Sequence, residues 1–313
     1  ILPVVGVVWV MAATLAGCGA SHKLVDKNSH TVTTNTTPLP GAGRPPVTIG
    51  DKNFTEQFVL GELYYEALRA KGFPVQLNQN IGPLDVTIRE LESGQLAMYP
   101  EYLNTWDGDV AHAPGSFSNR SAAYDAGQTY AGAHGLKLLR PTPFSDTPSV
   151  GVTFNYAVQN GLTTISDLGK LGHQVTFGGP PEFQDAPTGL RTLESAYRFK
   201  SGSYRSLEIG GQYKALDQRE VQAADVNTTD GQLSTGDYTL LSDPLRLFGW
   251  GNVVPVVSAH VLAIEGPAFA GTINQVTALL TTPVIRELNA QVDLAGRDPA
   301  AVAAEFLSDN GLE

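Results

Sequence analysis

The stretch that predicts the fold class runs from Val47 to Asn78 and reads VTIGDKNFTEQFVLGELYYEALRAKGFPVQLN. It opens with a short β-branched run that ends at Gly50, which is typical of a buried strand. Apolar residues then recur at helical spacing up to Gly72, and Asn53 with Glu56 three residues later forms a candidate helix cap. A second strand follows in PVQLN. Strand, helix and strand in this order predict the start of a parallel sheet that is covered by helices.

The same alternation continues along the chain. A helix is expected near Asp85 to Glu92, stopped by Gly94, and the strand LAMY leads from it into YPEYLNT. Further strands are predicted in SVGVTFNYA (149–157), QVTFGG (174–179), VQAADV (221–226), YTLLSD (238–243) and NVVPVVSAHVLAIE (252–265). Further helices are predicted in TTISDLGKLG (163–172), TGLRTLESAYRF (188–199) and around residues 270–281, 283–295 and 299–308.

This order of elements predicts an α/β protein with two lobes, each a mixed, mostly parallel sheet with flanking helices. We assign residues 47–145 and 255–313 to lobe 1 and residues 146–254 to lobe 2, joined near Asp146 and Pro255. In open parallel sheets a ligand binds beyond the carboxyl ends of the strands. We therefore expect a binding cleft between the lobes.

The overall charge narrows the kinds of partner. The 313 residues carry a formal net charge of −11, and no basic stripe is visible, which argues against a nucleic-acid partner. The six histidines show no metal-ligand spacing, so we expect no metal and no cofactor. The chain is expected to act as a monomer.

The first residues have the character of a targeting signal. Residues 1–20 contain no charged side chain, and the only cysteine, Cys18, follows the small residues Ala16 and Gly17. This arrangement resembles a bacterial lipobox, which implies that a signal peptide at 1–17 is removed and that Cys18 carries a lipid. A buried thiol or a plain transmembrane anchor are the alternatives. Residues 18–46, rich in Ser, Thr, Asn, Gly and Pro, then read as a lipidated cysteine and a tether, which implies an extracytoplasmic protein anchored to the cell membrane.

Four stretches in register carry a resemblance to a known family. They are GDKNFTEQFVLGEL (50–63), LESGQLAMYPEYLNTW (91–106), TISDLGKL (164–171) and NTTDGQL (227–233). Together they resemble the substrate-binding proteins of osmoprotectant ABC transporters, the glycine betaine, choline and carnitine group, over residues 46–312. The resemblance implies a two-lobed type II periplasmic-binding-protein fold without enzymatic activity. It also implies that the protein closes on one ligand and docks on a permease that works with an ATPase.

The same resemblance suggests which residues bind the ligand. The family's site joins an aromatic cage for a quaternary ammonium to a polar clamp for a carboxylate. Lys52 and Thr105 match the clamp lysine and hydroxyl, Tyr102 matches a cage tyrosine, and Asp146 matches the acidic or amide residue beside the cage. These four positions, by resemblance, are expected to bind the ligand.

Other positions depart from the family pattern. Cage tyrosines are replaced by Pro148 and Asn227, a further one falls on or next to Gly251, where Trp250 offers a displaced ring, and the clamp arginine is replaced by Ala186. The missing groups amount to roughly 3 to 7 kcal/mol of binding free energy. The candidate ligand-binding set is therefore Lys52, Tyr102, Thr105, Asp146, Asn227, Trp250 and Pro148. It predicts a hydroxylated or aromatic ligand, neutral or weakly anionic.

Two other functions remain open at this stage. One is a sensor or receptor of the cell envelope with the same fold, although the sequence has no output domain. The other is an envelope hydrolase, which is less favoured because the chain has no G-x-S-x-G, no zinc signature and no nucleotide loop. Asp230 in TTDG reads first as a turn residue beside a Gly231 with positive φ.

Overall fold

The computed structural model describes residues 38–113, 117–208 and 210–313. The predicted signal peptide, Cys18 and the tether up to residue 37 lie outside the described residues. The strands are β1 Val47–Gly50, β2 Val75–Asn78, β3 Met98–Tyr102, β4 Leu136–Leu138, β5 Pro148–Thr153, β6 Thr176–Gly179, β7 Ser203–Ser206, β8 Ala223–Asn227, β9 Tyr238–Leu241 and β10 Val253–Ser258. The helices are α1 Thr55–Ala70, α2 Leu84–Ser93, α3 Leu103–Thr105, α4 Arg120–Ala133, α5 Phe154–Asn160, α6 Leu190–Tyr197, α7 Gln212–Asp217, α8 Ala259–Glu265, α9 Pro267–Leu279, α10 Thr282–Asp293 and α11 Pro299–Asp309.

The strands form two five-stranded sheets with the same plan. The first has the order β2-β1-β3-β10-β4 and the second the order β7-β6-β8-β5-β9. In the first sheet β1 is parallel to β2 and β3, whereas β10 is antiparallel to β3 and β4. In the second sheet β6 is parallel to β7 and β8, whereas β5 is antiparallel to β8 and β9. Each sheet is thus mixed and mostly parallel, with one reversed strand.

The first sheet is covered by α1, whose apolar face lies in the largest hydrophobic cluster. Val59, Leu60, Leu63 and Tyr64 are fully buried there, and the Tyr64 hydroxyl shares a hydrogen bond with Thr277 of α9. A separate cluster underlies the second sheet. Each sheet therefore has its own core, and the loops at the strand ends are left to form the site.

We call the residues built around the two sheets lobe 1 and lobe 2. The exact limits predicted from the sequence stay a prediction, and β10 of the first sheet begins at Val253, two residues before the predicted join at Pro255. The two connecting segments run side by side. The Asp146 N–H donates to the Gly251 carbonyl at 2.9 Å, and the Gly251 N–H donates to the Ser145 hydroxyl at 3.0 Å. A Cβ on residue 251 would lie only 1.6 Å from the Asp146 carbonyl oxygen, so this close approach requires glycine.

Several predicted boundaries are wrong in an instructive way. The run 149–157 is strand only to Thr153, because the Thr153 hydroxyl accepts the N–H of Tyr156 and begins α5. The run 252–265 likewise changes from strand to helix after Ser258. Asn53 does not cap α1, which begins at Thr55 without a side-chain cap. Helix α4 was not predicted at all.

The positive φ predicted for Gly231 is wrong, whereas Asp230 is a turn residue as predicted, with its N–H donating to the Asn227 carbonyl at 3.2 Å. Gly231 lies in a short 3₁₀ helix and does not have a positive φ. A Cβ there would lie 2.6 Å from the Ala290 Cα of α10, so the glycine is required by close packing between the lobes. Asp230 accepts hydrogen bonds from the Asn227 N–H and from the Tyr213 hydroxyl.

Among the residues that the structure describes, every helix is too short or too polar to cross a bilayer.

Candidate functional site

Lys52 follows β1, and its ammonium forms an ion pair with Glu101. The Lys52 Nζ lies 2.6 Å from the Glu101 Oε2, and the Glu101 side chain is 0% exposed. The same carboxylate accepts the Tyr99 hydroxyl at 2.8 Å and the N–H of Tyr102 at 2.8 Å. A buried carboxylate requires such partners, because an unpaired charge in the interior is costly. Much of the Lys52 charge is therefore already balanced inside lobe 1.

Tyr102 ends β3 and is only 7% exposed. Its hydroxyl donates to Glu56 Oε1 at 2.8 Å, and its ring stacks on Phe54 with centroids 6.0 Å apart. Burial, with help from the Glu56 and Asp146 carboxylates, raises the pKa of Tyr102 well above its usual range. The side chain is therefore a neutral hydrogen-bond donor, and Phe54 covers one of its faces.

Thr105, Pro148 and Trp250 line one cavity of about 570 Å³. The Trp250 indole N–H donates to the Phe117 carbonyl at 3.2 Å, which fixes the orientation of the ring. The Arg246 guanidinium lies over that ring, 4.5 Å from its centroid. Arg246 has a φ of 54°, which is uncommon for a residue other than glycine. One face of the Trp250 ring is thus occupied by an arginine of the chain itself.

Asp146 and Asn227 line a second cavity of about 560 Å³ between the lobes. Burial raises the pKa of Asp146 well above its usual range, and the carboxylates of Glu56 and Asp230 add to the effect. Burial also raises the pKa of Asp225 to about 7. Among the described residues that line this cavity, carboxyl groups are the only ionisable groups other than Tyr213.

Five of the seven predicted residues are thus distributed over two cavities, and Lys52 and Tyr102 line neither of them. Arg191, five residues after Ala186, could not replace the clamp arginine here, because it pairs with Asp185 at 2.6 Å on the surface. Two important residues were missed as partners, Glu101 and Arg246. A charged residue inside the otherwise apolar strand β3 was a signal that a cation must lie beside it, although the sequence did not identify Lys52 as that cation.

The site offers hydrogen bonding and stacking. In the described parts of the chain, no three His, Cys, Asp or Glu side chains are grouped so as to hold a metal ion. The groups near the cleft are carboxyls, amides, hydroxyls and a few rings. They suit recognition of a small polar molecule.

Comparisons with known proteins identify the family. Residues 45–309 match the family described as the substrate-binding domain of an ABC-type glycine betaine transport system. The chain belongs to this family. Its members are extracytoplasmic substrate-binding proteins of ABC transporters, which bind a small molecule and work with a permease and its ATPase.

Individual relatives agree with the family. The glycine-betaine-binding protein of Pseudomonas aeruginosa is 30% identical over 275 residues, covering 84% of this chain and 88% of the relative. The glycine betaine-binding protein YehZ of Escherichia coli is 29% identical over 290 residues, covering 87% and 93%. The solved structure of a glycine betaine/carnitine/choline ABC transporter protein has a TM-score of 0.79 at 24% identity, covering 85% of this chain and 99% of that one. The predicted fold class, an α/β type II periplasmic binding protein, is confirmed.

Proposed function

We propose that the chain captures a hydroxylated or aromatic solute for an ABC importer, in place of a compact trimethylammonium compound. The observation that carries the proposal is that few aromatic rings are present at the site and that those present have a face already covered. The rings expected at 148 and 227 are absent, and each of the two remaining rings has one face covered, Tyr102 by Phe54 and Trp250 by Arg246. A quaternary ammonium, which has no N–H donor, depends on such ring faces for its binding energy.

The magnitudes support this reading. One well-placed ring contributes about 0.5 to 2 kcal/mol to binding of a cation, and a charged hydrogen bond contributes about 1.5 to 3 kcal/mol. Since every 1.4 kcal/mol is roughly a tenfold change in affinity, the missing groups correspond to a loss of at least about a hundredfold for glycine betaine. Hydroxyl and amide groups at the cleft remain available for other solutes.

The mode of action proposed here is hinge closure. Lobe 1, residues 47–145 and 255–313, and lobe 2, residues 146–254, close on the solute by bending of the two connecting segments at Ser145–Asp146 and Gly251. Solute that contacts both lobes favours the closed form, and the permease with its ATPase recognises that form. Such a protein works as a monomer.

The membrane attachment is part of the same proposal. A lipid on Cys18 would hold the protein at the outer side of the cell membrane, beside its permease. Metabolic labelling with a radioactive fatty acid is expected to label the full chain expressed in a bacterium. The Cys18→Ser variant is expected to lose the label, and label retained by the variant would contradict the lipid anchor.

Calorimetry tests the solute. The purified chain is titrated with glycine betaine, choline, carnitine, and a panel of sugars and phenols. We expect a solute of the hydroxylated or aromatic panel to bind with at least tenfold higher affinity than any of the three quaternary amines. Micromolar binding of glycine betaine, together with no binding of the panel, would contradict the proposal and return the chain to the ligand class of its named relatives.

A further inference from the structure

The acidic cavity between the lobes has an unusual lining. From lobe 1 it is lined by Phe54 to Glu56 at the start of α1 and by Asn289 and Asp293 of α10. Lobe 2 and the connecting segment contribute further side chains, of which Asp146, Asp225 and Asp230 are acidic. Five carboxyl groups therefore surround the same space, and none of its described lining residues is a lysine, an arginine or a histidine.

Two acceptors at this cavity have no donor. Asn289 is 4% exposed, and its amide N–H groups donate to Glu56 Oε2 and to the Thr229 carbonyl, both at 3.0 Å. Its Oδ1 and the Oδ1 of Asp225 are buried and accept no hydrogen bond from any described residue. Buried polar atoms almost always have a partner, so two such acceptors at one cavity indicate a missing donor.

Arg286, a positive charge beside Asp230, does not fill this role. The Arg286 Nε donates to the Thr228 carbonyl at 2.8 Å, and its charge acts on Asp230 and Tyr213. It is absent from the cavity lining. Asp230 already accepts from the Asn227 N–H and the Tyr213 hydroxyl, whereas Asp225 Oδ1 and Asn289 Oδ1 stay unpaired.

We propose that this cavity binds a protonated amine of the solute, a cationic group that carries N–H donors. An ammonium offers three N–H donors to acceptors that have none, and its charge is complementary to the surrounding carboxyl groups. A fully methylated nitrogen has the charge without the donors, and it would leave the buried oxygens unpaired. The inference rests on the proposed function, because it assigns the amine to the captured solute. It replaces the neutral or weakly anionic ligand expected from the sequence with a cationic one.

The electrostatics agree with the geometry. Burial raises the pKa of Asp225 to about 7, and the carboxyls of Asp230 and Glu182 add to this. An ammonium placed among these groups favours their charged form. The carboxyl groups of the cavity therefore stabilise a bound cation electrostatically. A neutral solute would receive little of this stabilisation.

Matched pairs of probes test the N–H donors directly. Tyramine, 1,4-diaminobutane and ethanolamine are titrated into the full chain by calorimetry, each beside its counterpart with fully methylated nitrogen, choline being the counterpart of ethanolamine. We expect at least one amine to bind with a Kd at least tenfold lower than that of its methylated counterpart. Equal or tighter binding of every methylated counterpart, or no binding of any amine, overturns the inference.

Variants test whether the preference for an amine over its methylated counterpart arises at this cavity. Asp225→Asn is expected to weaken binding of the preferred amine at least tenfold, while Asp125→Asn, which removes an exposed carboxylate on α4, leaves it unchanged. Asp293→Asn, at the exposed rim, provides a second test should Asp225→Asn unfold, with an expected loss of at least threefold. Unchanged amine binding in the folded cavity variants overturns the inference. Binding of a sugar or phenol without a preference for amines also overturns the inference, but it leaves the proposed function intact. Tight binding of glycine betaine alone overturns the proposed function.

Discussion

At the scale of single residues, Lys52 has a role in the protein beyond any contact with ligand. Its partner Glu101 is fully buried and also accepts hydrogen bonds from Tyr99 and Tyr102. When one member of a buried ion pair is removed, the other is left as an uncompensated charge. Lys52 therefore stabilises the carboxylate on which the end of β3 depends.

Replacement of Lys52 tests this role. Lys52→Met is expected to lower the free energy of unfolding by about 3 kcal/mol, measured by urea denaturation. The double variant Lys52→Met with Glu101→Gln is expected to recover much of the loss, because no charge is then buried. Arg69→Met provides the control, since it breaks the exposed pair with Glu66, whose contribution is at most about 1 kcal/mol. A Lys52→Met variant as stable as the parent would contradict this role.

The buried carboxyl group of Asp107 is expected to make the stability of the protein depend on pH. It is 4% exposed, neither carboxyl oxygen has a partner among the described residues, and burial raises its pKa to about 7. In the unfolded chain an Asp has a pKa of about 3.9, so between these values the folded state binds more protons. The contribution of Asp107 to stability is therefore present below about pH 4 and is lost as the pH rises to about 7.

The variant Asp107→Asn is expected to flatten this dependence. Between pH 5 and pH 8 the parent should lose about 1 to 3 kcal/mol more stability than the variant, measured by urea denaturation. Asp109→Asn removes an exposed carboxylate from the same turn and should keep the steep dependence of the parent. Parallel curves for the parent and Asp107→Asn would contradict the assignment.

At the scale of elements, α10 packs closely on the short helix that begins at Gly231. The backbone of Ala290 approaches so closely that a Cβ on residue 231 would meet both its N and its Cα at 2.6 Å. Neither atom can move away without shifting the helix. The contact therefore places α10 of lobe 1 directly against lobe 2.

Alanine at this glycine is expected to separate the two elements. Gly231→Ala should lower the melting temperature and cost about 1 to 3 kcal/mol, because the backbone must shift. Gly132→Ala is a suitable control, since a Cβ there meets nothing within 4 Å and lies inside α4. That variant should gain about 0.5 to 1 kcal/mol. Equal melting temperatures for Gly231→Ala and the parent would show that the contact is loose.

The same scale shows what the sequence could and could not predict. Strong periodicity located α1, and Gly94 correctly ended α2 with a left-handed residue. Helix α4 was missed because its sequence, rich in Ala and Gly, has a weak apolar stripe, although Asn119 caps it at the N–H of Ala122. The runs after Thr153 and Ser258 were extended too far, because β-branched and apolar residues favour strands without marking where a helix begins.

The candidate site was predictable only in part, for a different reason. A motif identifies residues close in the sequence, such as Tyr102 and Thr105. It does not show which distant side chain already pairs with a site residue. Glu101, for example, pairs with Lys52, although the two are 49 positions apart in the sequence. Pairings of this kind depend on how the strands are arranged in the sheet.

At the scale of the whole molecule, α10 connects the lobes through polar contacts as well as packing. Arg286 donates to the Thr228 carbonyl, and Asn289 donates to the Thr229 carbonyl. The connecting segments near Gly251 and this contact together hold the two lobes in their present arrangement. A change at α10 should therefore alter the equilibrium between open and closed forms.

Arg286→Met tests this coupling. Without solute, the variant is expected to have a larger radius of gyration than the parent in small-angle X-ray scattering, because a hydrogen bond from a charged donor to lobe 2 is lost. Arg297→Met is the control, since Arg297 pairs with Glu305 inside lobe 1. An unchanged radius of gyration for Arg286→Met would mean that other contacts hold the lobes.

The guanidinium of Arg246 on Trp250 has a consequence for how ligand range changes over time. It behaves as a resident competitor: on the ring face that Arg246 covers, a cationic solute can bind only by displacing a cation of the same molecule. A single codon change at position 246 would uncover the ring without rebuilding the rest of the pocket. A free ring for a quaternary amine is therefore easier to restore by mutation at Trp250 than at positions 148 and 227, where the rings themselves are absent.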